Sequence, residues 1–269
     1  MLLAVDIGNT NVVFGLHDGE SWLHHWRVRT VRDKMPDEYG ALLRMLLREA
    51  DLTMGAFDRI AMASVVPPLS GRMEEMFAEQ TAVAPLVVSH EVETGLTFAV
   101  DTPAEVGADL IADAVAALAL ASGPCIVVDF GTATTFTAVS AEGTFMGVAI
   151  SPGVNLSASA LSGGTAQLPQ VRLQAPSHVI GTNTIHSIQS GVLLGYVCMV
   201  EGMLRRFERE IHERLGPDPV TVIATGGLAN VIAPLTDCLS RVEPWLTLDG
   251  IRLIADRNQL MVEKRVASR

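Results

Sequence analysis

One ordered pattern occurs twice in the chain, and that repeat restricts the fold to duplicated architectures. An apolar run, a D-x-G step, small hydroxyl or amide residues, a second apolar run and a turn follow one another from Leu3 to Gly19 and again from Ile126 to Gly143. Asp6 and Gly8 stand in the first copy where Asp129 and Gly131 stand in the second, followed by Asn9-Thr10-Asn11 in one and Thr132-Ala-Thr134 in the other. The apolar runs have the length and β-branched content of strands. Each half is therefore expected to open with a β-hairpin whose bend carries an aspartate, a glycine and hydroxyls, dividing the chain into domains over 1–112 and 113–269.

Helical signals alternate with strand signals along the rest of the chain, which makes the class α/β. Leu42, Leu43, Met45, Leu46 and Leu47 recur at helical spacing between Asp37 and Leu52, behind Pro36. Ile60 to Val66 reads as a strand that Pro67-Pro68 ends, followed by a helix from about Gly71 and a strand over Pro85 to Ser89. Pro103 opens a helix running to about Ala121, which joins the halves, before the stop at Gly123-Pro124. From Asn183 to Leu215 the apolar residues predict one long amphipathic helix closed by Gly216-Pro217. Val220 to Ala224 is a strand leading into Thr225-Gly226-Gly227, and Leu228 to Leu239 and Leu248 to Asn258 read as helical.

Composition removes several function classes. With 19 Lys plus Arg against 30 Asp plus Glu the formal charge is -11, which repels a phosphate backbone, so no nucleic acid partner is expected. Neither lysine follows a glycine, so no phosphate-binding loop of the G-x-x-x-x-G-K-[ST] type exists, and the protein-kinase lysine signature fails likewise. Cys125, Cys198 and Cys238 lie far apart without metal or disulfide spacing, and the histidines show no metal-binding spacing. No apolar run long enough to span a bilayer is seen, and Asp6 interrupts any secretory signal in the first residues. A cytoplasmic protein without a membrane partner is expected.

A D-x-G bend followed by Asn or Thr lets backbone N–H groups approach phosphate oxygens, because glycine offers no side chain to obstruct them. The aspartate repels phosphate unless a cation lies between them, so its presence implies a metal ion, bound directly or through water. A single copy reads equally well as a plain turn; two copies at matching places make a nucleotide site the stronger reading. Asn9, Thr10 and Asn11 would line one wall, and Thr132, Thr134 and Thr135 the other. Thr225-Gly226-Gly227 reads either as a tight strand-to-helix turn or as a flat surface for adenine and ribose.

Together these features resemble the acetate and sugar kinase, Hsc70 and actin superfamily, in which ATP lies in a cleft between duplicated RNase H-like (actin-type ATPase) domains. Within it the chain resembles the type III pantothenate kinases over nearly its full length. The carrying segments are Asp6-Ile-Gly-Asn-Thr-Asn11, Asp37-Glu-Tyr39, Ser64-Val-Val-Pro67, Pro103-Ala-Glu-Val-Gly-Ala-Asp109, Asp129-Phe-Gly-Thr-Ala-Thr-Thr135, Pro152-Gly-Val-Asn155, Ile180-Gly-Thr-Asn-Thr184, Gln189-Ser-Gly191 and Thr225-Gly-Gly227. The resemblance implies phosphorylation of pantothenate by ATP, the first step of coenzyme A synthesis, in a homodimer that uses magnesium and a monovalent cation, potassium or ammonium. It also implies roles. Asp109 is the general base. Asp6, Gly8, Asn9, Thr10, Asn11, Val12 and Val13 form the phosphate hairpin, with Asp6 toward magnesium. Gly131, Thr132, Gly226 and Gly227 meet ATP, and Asp129 holds the monovalent cation. Val100, Gly107, Ala108, Asp109, Leu110 and Thr184 meet pantothenate. Without the resemblance, Asp109 would read as a solvated helix carboxylate; Asp113, one turn on, has no assigned role.

The family pattern is broken at three places. Leu110 stands where an arginine is usual, Val100 where an aromatic hydroxyl is common, and Thr137 where the second hairpin usually has aspartate. An aliphatic side chain makes no charge-assisted contact to a carboxylate. The alternative expectation is accordingly a catalytically impaired or re-specialised nucleotide-binding paralogue, acting on another small hydroxylated acceptor or serving a regulatory role.

Overall fold

The computed structural model describes residues 1–267; Ser268 and Arg269, the end of the expected second half, lie outside the described residues. The chain forms two compact units. The first holds residues 1–96, 101–116 and the chain from Leu246 onward, and the second holds 97–100 and 117–245.

The first unit contains β1 (Leu2–Ile7), β2 (Asn11–His17), β3 (Trp22–Arg29), β4 (Arg59–Ser64) and β5 (Leu86–Val87), with helices α1 (Pro36–Glu49), α2 (Pro67–Gln80) and the start of α3 (Ala108–Leu120). Its sheet runs in the order β3-β2-β1-β4-β5, antiparallel across β1–β2 and β2–β3 and parallel across β1–β4 and β4–β5. Apart from Asp6, every residue of β1 is buried, as a central strand covered on both faces requires. Phe14, Tyr39, Leu43, Met62 and Phe77 pack into its core.

The second unit contains β6 (Thr97–Phe98), β7 (Cys125–Phe130), β8 (Ala133–Val139), β9 (Thr144–Pro152), β10 (Thr221–Thr225) and β11 (Arg241–Val242), with α4 (Val154–Gly163), α5 (Thr184–Gln189), α6 (Gly195–Leu215) and α7 (Ala229–Ile232). Its sheet order is β11-β10-β7-β8-β9-β6. Read from its inner strands, β9-β8-β7-β10-β11 reproduces β3-β2-β1-β4-β5 in order and in every parallel or antiparallel sense, with β6 added at one edge. The duplication expected from the two D-x-G segments is thus present in the topology, and the fold is that of duplicated actin-type domains.

The last helix, α8 (Leu246–Ala267), packs on β1 and β4. Trp22 Nε1 donates to Asp249 at 2.8 Å, and Arg59 pairs with Asp256 at 2.8 Å. A linear division at 112/113 assigns this helix to the second half; its packing places it in the first unit. The chain crosses between units inside α3, as the joining helix was expected to do.

Several local readings need correction. The strand before Pro67-Pro68 ends as expected, at Ser64, but the helix expected from about Gly71 starts at the prolines themselves, which open α2, where their missing N–H groups cost no helical hydrogen bond. The expected single helix over 183–215 is interrupted by a π-helical turn, Ser190–Leu194. There Ser190 donates to the carbonyl of Val179, and Gln189 Nε2 to that of Arg172 at 3.0 Å, fastening the irregular strap that precedes α5. Helix over 228–239 is confined to α7 and a short 3-10 turn, and β3, β9 and α4 had no counterpart in the periodicity. Contrary to the reading that no run is long and apolar enough to span a bilayer, Thr184–Leu215 meets that test by length and composition. Its Leu193, Tyr196, Val197, Val200, Leu204 and Ile211 are buried in the second unit's core.

Thr137 sits on β8 with its hydroxyl buried and without a hydrogen-bond partner. A desolvated, unsatisfied hydroxyl is destabilising, and valine has nearly the same shape. Thr137→Val should therefore raise stability by about 1 kcal/mol, read as a higher chemical-denaturation midpoint with unchanged slope; a clear loss of stability would show that the hydroxyl is satisfied.

Candidate functional site

In the first unit the β1–β2 bend is closed by Gly8 N–H donating to Asn11 O at 2.9 Å, and Asn9 and Thr10 at its tip are exposed. Val12 and Val13 are buried in the sheet, so any ligand at the bend meets their backbone only. Thr30, just past β3, staples the bend from outside: its N–H donates to Thr10 O at 2.9 Å and its hydroxyl to Gly8 O at 2.6 Å. Asp6, half-buried near the end of β1, pairs in the sheet with Val13 and Ala63.

Asp109 belongs to the same unit and lies in the first turn of α3. A short chain of contacts links it to the bend. Ile7 O accepts from Val65 N–H at 3.1 Å, and a methyl built on Gly107 would lie 3.4 Å from Val65 Cγ1 and 2.6 Å from Asp109 Oδ1. Only glycine at 107 leaves the carboxylate its position. Leu110 N–H donates to Asp109 Oδ1 at 2.7 Å. Burial pushes the Asp109 pKa above its ordinary value, and the backbone hydrogen bond from Leu110 opposes this only in part. Asp113, one turn on, is buried and accepts from the Thr247 hydroxyl at 2.7 Å, a structural role within the first unit.

In the second unit the β7–β8 bend is closed one residue more tightly, Gly131 N–H to Ala133 O at 3.1 Å, with Thr132 exposed at its tip. Thr225 is paired with Asp129 across β10 and β7, and Gly226 follows in a left-handed conformation, φ 90°. A methyl at Gly226 would lie 2.2 Å from Asp129 Oδ1, and one at Gly131 would lie 3.3 Å from Oδ2. The two glycines leave room around one carboxylate, a cradle that side chains would fill. The sequence reading gave Gly226 and Gly227 only to the nucleotide; the placement of Gly226 against Asp129 is visible only in the fold.

Thr184 is exposed at the start of α5, on the rim of a cavity of about 890 Å³ lined also by Ser151, Thr182, Asn183, Ser187 and Tyr196. The Tyr196 hydroxyl is hydrogen-bonded to that of Thr134 on the second bend. Burial pushes the Tyr196 pKa up to about 12, so it stays protonated and tethers the cavity wall to the bend. Ala108 and Leu110 are buried, and the Leu110 side chain belongs to the apolar interior. Val100 follows β6 in the second unit. Sequence reasoning missed Thr30, Val65 and Tyr196. The usable signal was scarcity: the chain has 2 tyrosines, and each hydroxyl holds a segment that supports a bend, Tyr196 at Thr134 and Tyr39 at Val31.

Comparison with known proteins gives a consistent result. The family model for type III pantothenate kinase matches residues 2–206. A type III pantothenate kinase of Roseiflexus castenholzii is 47% identical over 259 residues, covering 96% of this chain and 100% of that protein. One from Moorella thermoacetica is 43% identical over 258 residues, with coverage of 96% and 100%. Among solved structures, a Baf family protein from Campylobacter jejuni superposes with a TM-score of 0.58 at 19% identity over 96% of this chain and 98% of that one, a likeness of fold.

Proposed function

The chain belongs to the type III pantothenate kinase family, and on that footing we propose that it transfers the γ-phosphoryl group of ATP to the primary hydroxyl of pantothenate. The observation that supports the reading is a buried carboxylate of raised pKa, Asp109, in the same unit as the glycine-opened β1–β2 bend, with Val65 hydrogen-bonded to Ile7 and close to the position a side chain on Gly107 would take. The three departures from the family pattern remain, but nothing in the fold or the comparisons favours an impaired paralogue.

The first bend, from Asp6 to Val13, offers backbone N–H groups and the side chains of Asn9, Thr10 and Asn11 to phosphate oxygens; Gly131, Thr132, Gly226 and Gly227 are the nucleotide contacts of the second unit. Asp109 accepts the proton of the pantothenate hydroxyl as its oxygen forms a bond to the γ-phosphorus. The bond to the β,γ-bridging oxygen breaks and ADP leaves. In a loose transition state the base contributes chiefly by position, and a carboxylate whose pKa is raised is also the better proton acceptor. Thr184, Gly107 and the backbone around Ala108 and Leu110 are the acceptor contacts, and Val100 contributes none of the hydroxyl chemistry common at that position.

No cluster of three or more metal-ligating side chains occurs among the described residues. That suits magnesium, which takes one or two carboxylates and otherwise substrate phosphates and water, and Asp6, near the end of β1, is the carboxylate proposed for it. Bound with ATP, magnesium neutralises charge on the β- and γ-phosphates. Asp129, whose carboxylate lies where a side chain at Gly226 or Gly131 would crowd it, is the residue proposed to hold a monovalent cation, potassium or ammonium. The free cysteines suit a reducing cytoplasm, and a homodimer is the assembly the family implies.

The test is ADP release measured with magnesium, ATP and pantothenate, in potassium or sodium chloride. Turnover that requires pantothenate is expected, at least tenfold faster with potassium. ATP bound without pantothenate-dependent turnover would remove the reading, and equal rates in the two salts would remove the cation from Asp129.

A further inference from the structure

A basic residue that none of the sequence motifs singled out is fixed on the tip of the first bend. Arg32 Nη2 donates to Asn9 Oδ1 at 2.9 Å. The backbone beneath it is clamped from both sides. Val31 N–H donates to the buried Tyr39 hydroxyl at 3.1 Å, and the Arg32 carbonyl accepts from Arg72 Nη1 at 2.8 Å, with the same Arg72 nitrogen 3.2 Å from Lys34 O. Thr30, two residues earlier, is stapled to Gly8 and Thr10. The guanidinium itself is exposed, and among the described residues it takes part in no ion pair.

The arrangement leaves a charge free for a ligand. An exposed arginine normally keeps its rotamer freedom or pairs with a carboxylate, and this chain, at -11, has carboxylates in excess. Arg32 has neither: its backbone is immobilised by a buried tyrosine and a second arginine, and its side chain is tied to a neutral amide that leaves the charge uncompensated and most of its five N–H donors uncommitted. A planar cation of this kind suits phosphate oxygens, and the chain has no lysine loop to provide one.

We propose that Arg32 is a phosphate ligand of the nucleotide, supplied within the same chain and directed by Asn9 at the β- and γ-phosphates. The inference rests on the reading of the β1–β2 bend as a phosphate cradle. In the transfer it stabilises negative charge that builds on the bridging oxygen as the bond to the γ-phosphorus breaks. Arg72 is a positioning residue that acts through the Arg32 backbone.

Arg32→Gln keeps hydrogen-bonding capacity and removes the charge. Calorimetric titration with ATP, ADP and AMP should show a loss graded by phosphate number: roughly 10- to 100-fold for ATP, less for ADP, and within about twofold for AMP. Arg32→Lys should recover part of the ATP affinity. Arg72→Gln should weaken ATP less than Arg32→Gln does, again sparing AMP. A melting temperature close to that of the parent is expected for Arg32→Gln, because the side chain is exposed. Equal weakening of all three nucleotides would mean a merely structural role, and unchanged ATP affinity would mean no contact; either result overturns the inference while leaving the cradle in place. If the parent protein binds no ATP, the cradle reading and the inference fall together.

Discussion

Asp109→Asn is expected to lower kcat for pantothenate phosphorylation by roughly 10²- to 10⁴-fold, the range for a lost general base, while ATP affinity stays within about twofold. The substitution preserves shape and the acceptor for Leu110 N–H but cannot take a proton. A stability signature of opposite sign accompanies it. The folded-state pKa of Asp109 is raised by burial, so the native protein binds this proton more tightly than the unfolded chain does. The stabilising contribution of the group is present below its unfolded pKa and is lost as pH rises through the folded one. At neutral pH the parent therefore carries an ionised, poorly solvated carboxylate that asparagine removes. Asp109→Asn should melt higher than the parent at neutral pH, with the difference vanishing as pH falls below the ordinary aspartate value of 3.8. In the parent, kcat/KM should rise with pH through the same raised pKa and then level. Retained turnover would take Asp109 out of the mechanism; equal melting temperatures at all pH values would mean that its carboxylate is well solvated.

Gly226→Ala should have the largest structural consequence of any single methyl in the site. Two penalties coincide: φ is 90°, where an L-residue is strained, and the new carbon would lie 2.2 Å from Asp129 Oδ1 and 2.7 Å from the backbone nitrogen and carbonyl carbon of Phe130. The carboxylate can swing away, but the Phe130 backbone is held in β7 by its pairing with Thr134. A loss of about 3 kcal/mol or more is expected, seen as a lower denaturation midpoint, with the remaining folded enzyme no longer activated by potassium. Full potassium activation at unchanged stability would mean that the Asp129 cradle is not a cation site.

Much of this was legible in the sequence, for identifiable reasons. The two D-x-G hairpins are local objects, fixed by strand periodicity and glycine, and their duplication shows without any long-range contact. The π turn at Ser190–Leu194 was not legible, and neither were the hydrogen bonds that accompany it, to the strap carbonyls of Arg172 and Val179. The late start expected for α2, near Gly71, came from a real ambiguity: proline stops a strand and starts a helix equally well. Of the site, Asp6, Asp109 and Asp129 were named from motif position. What only the fold supplied was the company each keeps: Val65 and Gly107 about Asp109, Gly226 over Asp129, Thr134 with Tyr196, and Arg32 upon Asn9. Gly107, two residues before Asp109, follows from spacing; the others do not, since each joins segments distant in sequence.

Phosphorus NMR of the protein incubated with magnesium, potassium, ATP and pantothenate bears most directly on the function. The account predicts a new phosphomonoester resonance, split by two methylene protons and growing in equal amount with ADP. ATP left intact, or converted to ADP and inorganic phosphate while pantothenate remains unmodified, would contradict it.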